Sequence, residues 1–208
     1  GDTKIAPAPG SFAPTGLMND DRNLHAVVLL ADGRVMAVGG GGGGGAHTSN
    51  IHQTAEIFDP ASGTWTRTAN MVYERRNTAL ALLSNGSVLA VGGGDIHLDP
   101  QQDTDIWDPA TGEWSKTGKM TFDRALHRLA TLPDGRVMVI GGRSLTVAQL
   151  DTVEIYDPAT GEWTEAAPMS VGRINFTVTF LLDGRVLVAG GRNLESSEIY
   201  DSETGAWT

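Results

Sequence analysis

Short apolar runs separated by polar turns recur along this chain, and each run has the length of a β-strand. The first two are "HAVVLL" at 25–30 and "RVMAVGG" at 34–40, with an Asp-Gly pair between them. Asp-Gly between two apolar runs predicts a β-hairpin with a type I′ turn, in which both central residues have positive φ. Because both runs are apolar at nearly every position, we expect packed neighbours on both faces of these strands.

A second pair of strands follows each hairpin, and the whole unit occurs four times. The third strand carries an acid and an aromatic residue two positions apart. A Trp then opens the fourth strand, at the end of the phrases "DPASGTW" (59–65), "DPATGEW" (108–114 and 157–163) and "DSETGAW" (201–207). Intervals of 53, 49 and 49 residues separate the hairpin glycines Gly33, Gly86, Gly135 and Gly184. Four strands repeated at about fifty residues predict the blades of a β-propeller.

Three features of each unit resemble the kelch family: the glycine doublet after the second strand, the aromatic residue of the third and the Trp of the fourth. The wording "DPATGEW" is most similar to bacterial kelch proteins and to the propeller domain of galactose oxidase. The resemblance implies an all-β fold, a single β-propeller domain over 1–208 built of four kelch-type four-stranded blades. We place these blades at about 19–71, 72–120, 121–169 and 170–208.

The first residues of the chain predict how the ring closes. The segment "GSFAPTGLM" at 10–18 aligns with "GTWTRTANM" at 63–71, so it resembles an outer strand that lacks a blade of its own. We expect this N-terminal strand to complete the last blade and close a ring of four blades, which removes an exposed sheet edge. The alternatives are that the chain is part of a larger ring, or that two chains share one ring.

Composition narrows the classes of function. The absence of cysteine excludes disulfides, thiolate metal sites and the Cys-linked copper radical chemistry that the likeness to galactose oxidase would imply. The formal net charge of −10 disfavours nucleic acid, and no apolar run approaches the roughly 20 residues of a membrane span. We predict no nucleic-acid partner, no membrane insertion and no cofactor other than a divalent cation. A secreted or cell-surface location is favoured over a cytoplasmic one.

An arginine stands four residues after the Met that ends each outer strand, at positions Arg22, Arg75, Arg124 and Arg173. We expect these arginines at the mouth of the central channel, where two roles are open. Each could pair with an acid such as Glu56 or Glu154, because a residue present in every blade is typical of a scaffold. Alternatively they bind a ligand carboxylate, as the resemblance to protein-binding kelch domains implies.

Units one and three share a further pattern, "DRNLH" at 21–25 and "DRALH" at 123–127. These units face each other across a four-bladed ring. Their side chains could then converge on a metal ion, with imidazole and carboxylate ligands from His25, His127, Asp21 and Asp123. The structural alternative is that both histidines pack between blades.

The loops at one end of the blades differ from unit to unit, and loops on a rigid scaffold are where binding sites tend to lie. We therefore predict ligand-binding residues in the loops at 41–53 and 94–103 and next to the arginines, namely His47, His52, His97, Asn77 and Asn175. No nucleophile-elbow motif occurs, and we predict no catalytic residue.

These patterns favour a non-enzymatic module that binds a protein segment or a glycan on its variable loops. The second hypothesis is an enzyme or a cation-dependent site at the channel mouth, which would use His25 and His127. The third is a structural unit of a surface assembly, which would self-associate.

Overall fold

The computed structural model describes residues 14–42, 50–95, 97 and 99–208, and the regular elements in these ranges are all β-strands. No helix in them could cross a bilayer. The strands are β1 (Ala26–Leu29), β2 (Val35–Val38), β3 (Ala55–Asp59), β4 (Thr64–Arg67), β5 (Ala79–Leu82), β6 (Val88–Val91), β7 (Thr104–Trp107), β8 (Trp114–Lys116), β9 (Arg128–Thr131), β10 (Val137–Ile140), β11 (Val153–Asp157), β12 (Glu162–Ala166), β13 (Thr177–Phe180), β14 (Val186–Ala189), β15 (Ser197–Asp201) and β16 (Ala206–Trp207).

These strands form four antiparallel sheets, each a meander of four strands in chain order. We call them blade 1 (β1–β4), blade 2 (β5–β8), blade 3 (β9–β12) and blade 4 (β13–β16). The first strand of each blade contacts the first strand of the next, so β1 lies against β5, β5 against β9 and β9 against β13. This is the arrangement of a β-propeller. It confirms the predicted all-β fold of four four-stranded blades.

The hairpin between the first two strands of each blade differs from the predicted type I′ turn. In blade 1, the Leu30 N–H donates to the Arg34 carbonyl at 2.8 Å, and the Gly33 N–H donates to the Leu30 carbonyl at 3.0 Å. Gly33 has a φ of 87°, whereas Asp32 does not have a positive φ. The connection is therefore a three-residue loop in which a left-handed glycine follows a type I turn. The Asp32 carboxylate stabilises it by accepting the Arg34 N–H at 3.0 Å.

Apolar contacts between neighbouring blades form the core. Between blades 1 and 2, Met36 and Val38 of β2 pack in one cluster with Val88 and Ala90 of β6. Two further clusters join blades 2 and 3 and blades 3 and 4 through the same strand positions. β6 and β10 are buried along their whole length. Packing on both faces explains why these strands are apolar at nearly every position.

The predicted closure of the ring at four blades is not found in the described residues. Residues 14–18 contain no strand, and the Gly16 N–H donates to the Gly63 carbonyl of blade 1 at 2.8 Å. Blade 4 has its own fourth strand, in which Trp207 lies opposite Tyr200. The rest of the predicted closing strand, 10–13, lies outside the described residues. Within the described residues, blades 1 and 4 are the two ends of an arc of four blades, and Val27 of β1 is 58% exposed.

Candidate functional site

Each blade has a lead-in segment, which we define as the three residues before its innermost strand: 23–25, 76–78, 125–127 and 174–176. Three of these segments, those of blades 1, 2 and 3, are fixed by paired backbone hydrogen bonds to the residue after the glycine doublet of their own blade. Arg76 and Gly94 exchange bonds of 3.0 and 2.7 Å, and Ala125 and Arg143 exchange bonds of 3.0 and 2.8 Å. This pairing holds Arg76 and Arg143 at the inner rim of the loop end of the arc.

The middle residue of every lead-in segment has a left-handed backbone, with φ of 54° at Leu24, 52° at Asn77, 59° at Leu126 and 55° at Asn175. Positive φ is uncommon in leucine, so the backbone is strained at Leu24 and Leu126. Because the bend recurs in all four blades, we attribute it to the scaffold, where it turns the chain into the innermost strand.

A cavity of about 250 Å³ opens between the lead-in segments of the first three blades. We call it the mouth cavity, and its lining residues are Leu24, Arg76, Asn77, Gly94, Ala125, Leu126 and Arg143. Two of these side chains are guanidinium groups, one is an amide, and none is acidic. The lining of the mouth cavity thus carries two cationic side chains on a chain whose formal net charge is −10.

Arg76 is the more deeply buried of the two arginines that line the mouth cavity. The residue is only 6% exposed, yet within the described residues its guanidinium makes neither a hydrogen bond nor an ion pair. Its guanidinium nitrogens are not among the buried unsatisfied atoms of the described residues, so solvent or a ligand in the cavity can reach them. A guanidinium in this state gains most from an anionic ligand, because its fork of donors matches both oxygens of a carboxylate.

The four repeated arginines lie elsewhere. Their side chains are 0% exposed, and each pairs with the acid on the third strand of its own blade. In blade 3, Arg124 Nη2 lies 2.7 Å from Glu154 Oε1, and Nη1 donates to the carbonyls of Gly141 and Thr152, both at 2.9 Å. The guanidinium groups therefore lie inside the blades and not at the channel mouth, which corrects the expected position of Arg22, Arg75, Arg124 and Arg173.

The acid of each pair also fixes the loop that leads to the arginine of its own blade. Glu56 accepts the Asn19 N–H at 2.6 Å and the Asp20 N–H at 3.1 Å in addition to the Arg22 guanidinium. Burial alone would raise the pKa of Glu56, but these hydrogen bonds outweigh it and hold that pKa below its usual range. The pairs are thus structural clamps that join the loop, the glycine doublet and the third strand.

Blade 2 carries the weakest of these clamps, because its acid is aspartate. Arg75 Nη2 and Asp105 Oδ1 are 3.3 Å apart, and neither atom has a hydrogen-bond partner within the described residues. Burial raises the pKa of Asp105 and lowers the pKa of Arg75. The aspartate side chain is shorter, so its carboxylate does not reach the Arg75 guanidinium closely enough for a hydrogen bond between Asp105 Oδ1 and Arg75 Nη2. The longer Glu154 of blade 3 makes that bond with Arg124.

The two histidines that repeat in units one and three differ in burial. His127 is 2% exposed and packs against Gly92 of the preceding blade, where a Cβ would lie 3.0 Å from the ring carbon Cε1. Burial, followed by the charges of Arg124 and Arg128, lowers the pKa of His127 to about 3. His25 is exposed at the end of the arc, although partial burial and Arg22 lower its pKa too.

The predicted metal ligands are not brought together. Asp123 Oδ2 accepts the Leu145 N–H at 2.7 Å, and the Asp21 carbonyl lies 3.1 Å from the His52 Nε2. Within the described residues, no three His, Cys, Asp or Glu side chains stand close enough to hold a metal ion. His127, sealed between two blades, is separated from these loop carboxylates by its burial.

The remaining predicted binding residues are dispersed over the loops. His52 is half-buried against Asp21, and His97 is exposed in a turn where its N–H donates to Asp95 Oδ1 at 2.8 Å. Asn175 is exposed in blade 4 and does not line the mouth cavity, whereas Asn77 does. His47 lies outside the described residues.

Arg76 and Arg143 were missed from the sequence, although a signal for Arg76 existed. The other three units carry Asn23, Ala125 and Ile174 at the repeat position of Arg76. A charge that occurs in one unit at a position that is neutral in the others has no role in the common scaffold, and that contrast could have singled it out.

Comparison with protein-family models finds the kelch motif in two segments, residues 22–72 and 126–170. The first segment spans β1–β4 and the second spans β9–β12, so the matches coincide with blades 1 and 3. No curated protein matches the chain.

Proposed function

We propose that this chain, a kelch-repeat protein by its motifs and its propeller blades, is a non-enzymatic interaction module that binds an acidic segment of a partner protein at the mouth cavity. Kelch repeats generally mediate protein interaction. The observation that carries the proposal is the pair Arg76 and Arg143 in a cavity without a carboxylate among its lining residues. A protein segment is favoured over a neutral glycan because a neutral ligand would leave the Arg76 charge uncompensated.

The size of the mouth cavity sets the scale of the contact. About 250 Å³ accommodates one or two side chains rather than a folded surface. We therefore expect an Asp or Glu side chain, or a chain-terminal carboxylate, to enter between the two guanidinium groups, with the Asn77 amide as a further donor. The exposed rim residue Leu24 would contact the apolar part of the same segment.

Three dye-labelled peptides test the proposal by fluorescence anisotropy: poly-glutamate, poly-lysine and a neutral glycine-serine peptide. The net charge of −10 would by itself favour poly-lysine, so preferential binding of poly-glutamate reports a local positive site. We expect poly-glutamate to bind most tightly and its affinity to fall as salt is raised.

The variants Arg76→Gln and Arg143→Gln should each weaken poly-glutamate binding by about tenfold, which corresponds to about 1.4 kcal/mol. Arg192→Gln is the matched control, because Arg192 occupies the repeat position of Arg143 in blade 4, is exposed and lies outside the mouth cavity. Equal affinities in all three variants and the wild type would remove the mouth cavity as the binding site. Preference for poly-lysine or for the neutral peptide would contradict the proposal itself.

A further inference from the structure

The middle residue of the lead-in segment has the same left-handed backbone in every blade but not the same side chain. Blades 2 and 4 have asparagine there, Asn77 and Asn175, whereas blades 1 and 3 have leucine, Leu24 and Leu126. Asparagine is several-fold enriched at positive φ, while a bulky apolar side chain is an outlier there. The fold therefore accepts asparagine at this position, and the two leucines hold a backbone conformation that disfavours them.

The apolar core does not explain the leucines. Three clusters of buried side chains join the neighbouring blades, and within the described residues neither Leu24 nor Leu126 belongs to any of them. Both residues instead line the mouth cavity. A strained residue persists only where the surrounding structure holds it in place, and such residues cluster at ligand-binding sites. The reason for the leucines is therefore to be found in the cavity.

Leu126 carries this argument, because its surroundings do not depend on either end of the arc. It belongs to blade 3, whose first strand β9 contacts both β5 of blade 2 and β13 of blade 4. Leu126 is nonetheless partly exposed, and it shares the mouth cavity with Arg76 and Asn77 of blade 2. An apolar side chain that is strained, outside the core and next to a cavity is available to a ligand.

The lining of the mouth cavity combines two kinds of chemical group within a small space. Arg76 and Arg143 supply guanidinium groups, and Leu24 and Leu126 supply aliphatic side chains. A volume of about 250 Å³ leaves room for one or two side chains, so a segment that contacts both kinds of group carries its acid and its aliphatic residue next to each other. Removing an aliphatic side chain from water favours binding, and this contribution adds to that of the charges.

We propose that the mouth cavity is selective for a segment in which an aliphatic residue such as leucine stands directly beside an aspartate or glutamate, and that Leu126 and Leu24 determine this selectivity. The inference rests on the proposed function, because it names the residue pair that the same cavity takes up. In the bound segment, the carboxylate lies against the two guanidinium groups and the aliphatic side chain lies against the leucines.

Two dye-labelled peptides that differ in one residue test the selectivity by fluorescence anisotropy. Both have glycine-serine flanks, and their centres are Glu-Leu-Glu and Glu-Ser-Glu, so their length and charge are equal. We expect the wild type to bind the leucine peptide about tenfold more tightly than the serine peptide, because only the leucine buries aliphatic surface. Equal affinities for the two peptides would overturn the inference.

The variant Leu126→Asn gives blade 3 the residue that blades 2 and 4 have. Asparagine is tolerated at a φ of 59°, so the free energy of unfolding in urea should stay the same or rise. The preference for the leucine peptide should fall to about threefold or less, while the affinity for the serine peptide stays within about twofold of the wild type. An unchanged preference would overturn the inference. A clear loss of stability would overturn it too, because the leucine would then serve the fold.

The matched control is Asn175→Leu, which makes the reverse change in blade 4. Asn175 has the same backbone, with a φ of 55°, but it does not line the mouth cavity. This variant should lower the free energy of unfolding and leave the ratio of the two affinities unchanged. A change in that ratio as large as the one in Leu126→Asn would mean that the leucine acts through the fold, which contradicts a contact in the cavity.

The variant Arg76→Gln separates a failure of this inference from a failure of the proposed function. If the serine peptide binds the wild type and binds Arg76→Gln more weakly, the proposed function holds, and the leucine peptide alone decides the selectivity. If neither peptide binds the wild type, or if Arg76→Gln leaves both affinities unchanged, the binding of acidic segments is itself wrong and the inference fails with it.

Discussion

The molecule contains two kinds of arginine, and their surroundings are opposite. Arg124 stands for the kind that recurs in every blade: its side chain is 0% exposed and it is bonded to Glu154 and two carbonyls. Arg76 stands for the kind that occurs once: it lines a cavity and its guanidinium has no partner within the described residues. In this fold, a charge copied into each blade holds the blade together, whereas the Arg76 charge, which breaks the repeat, makes no such clamp within the described residues.

The largest effect should come from removing a repeated arginine. Arg124→Ala leaves the Glu154 carboxylate buried without its counter-charge, which is expected to lower the free energy of unfolding by about 3–5 kcal/mol. Urea unfolding followed by tryptophan fluorescence measures the change. The matched Arg143→Ala should lower it by less than about 1 kcal/mol, because Arg143 is partly exposed in the mouth cavity. Similar losses of unfolding free energy in both variants would contradict the distinction between the two kinds of arginine.

A second prediction uses pH to compare the two repeated histidines. The pKa of His127 is about 3 in the fold, against an ordinary value of 6.5, so only the unfolded chain binds a proton between these values. The contribution of neutral His127 to the free energy of unfolding is complete above pH 6.5. It falls by about 1.4 kcal/mol per pH unit as the pH falls towards 3. The variant His127→Phe places at this position the residue that blade 4 has, Phe176. Between pH 7 and pH 5, its free energy of unfolding should therefore fall by about 2 kcal/mol less than that of the wild type.

The free energy of unfolding in urea, measured at several pH values, checks this difference. His25→Phe is the control, because His25 is exposed at the end of the arc and its replacement should change the pH dependence much less. Parallel curves for the wild type and His127→Phe would mean that His127 is not the group that titrates.

The smallest effect should come from exchanging the acids of two clamps. Glu154→Asp gives blade 3 the shorter carboxylate of blade 2 and should cost about 1–2 kcal/mol, less than the full loss of a charged hydrogen bond, because the ion pair is lengthened and not removed. Asp105→Glu is the reverse change and should gain about 1 kcal/mol if the direct bond to Arg75 forms. Thermal or urea unfolding measures both. A loss on Asp105→Glu would show that blade 2 is packed too tightly for the longer side chain.

The blades could be predicted from the sequence because their signals are local. The glycine doublets, the Asp-Gly turns and the Trp residues each act within one unit, and the structure confirms four sheets of four strands. The turn type was wrong because the Leu30 carbonyl pairs with Gly33, so that one more residue enters the loop than a type I′ turn allows. The preference of Asp-Gly for tight turns does not show how many residues the flanking strands leave unpaired in the loop.

The candidate site was predicted only in outline. Asn77 lines the mouth cavity, but Arg22, Arg75, Arg124 and Arg173 were expected at the mouth and instead lie inside their blades. Each of them is one residue before a lead-in segment, and that single step decides whether a side chain points into a blade or towards the axis. A repeat pattern locates a position along the chain to within a residue, but it does not give the direction of its side chain.

The sequence by itself determined the number of blades, their strands and the acid that pairs with each repeated arginine. Those features are set by periodicity and by contacts within about fifty residues. Only the tertiary structure decided which arginines are buried and which histidine is sealed between blades. Those outcomes depend on how one blade is rotated against the next. That rotation brings Arg76 and Arg143, which are 67 positions apart in the chain, to one cavity.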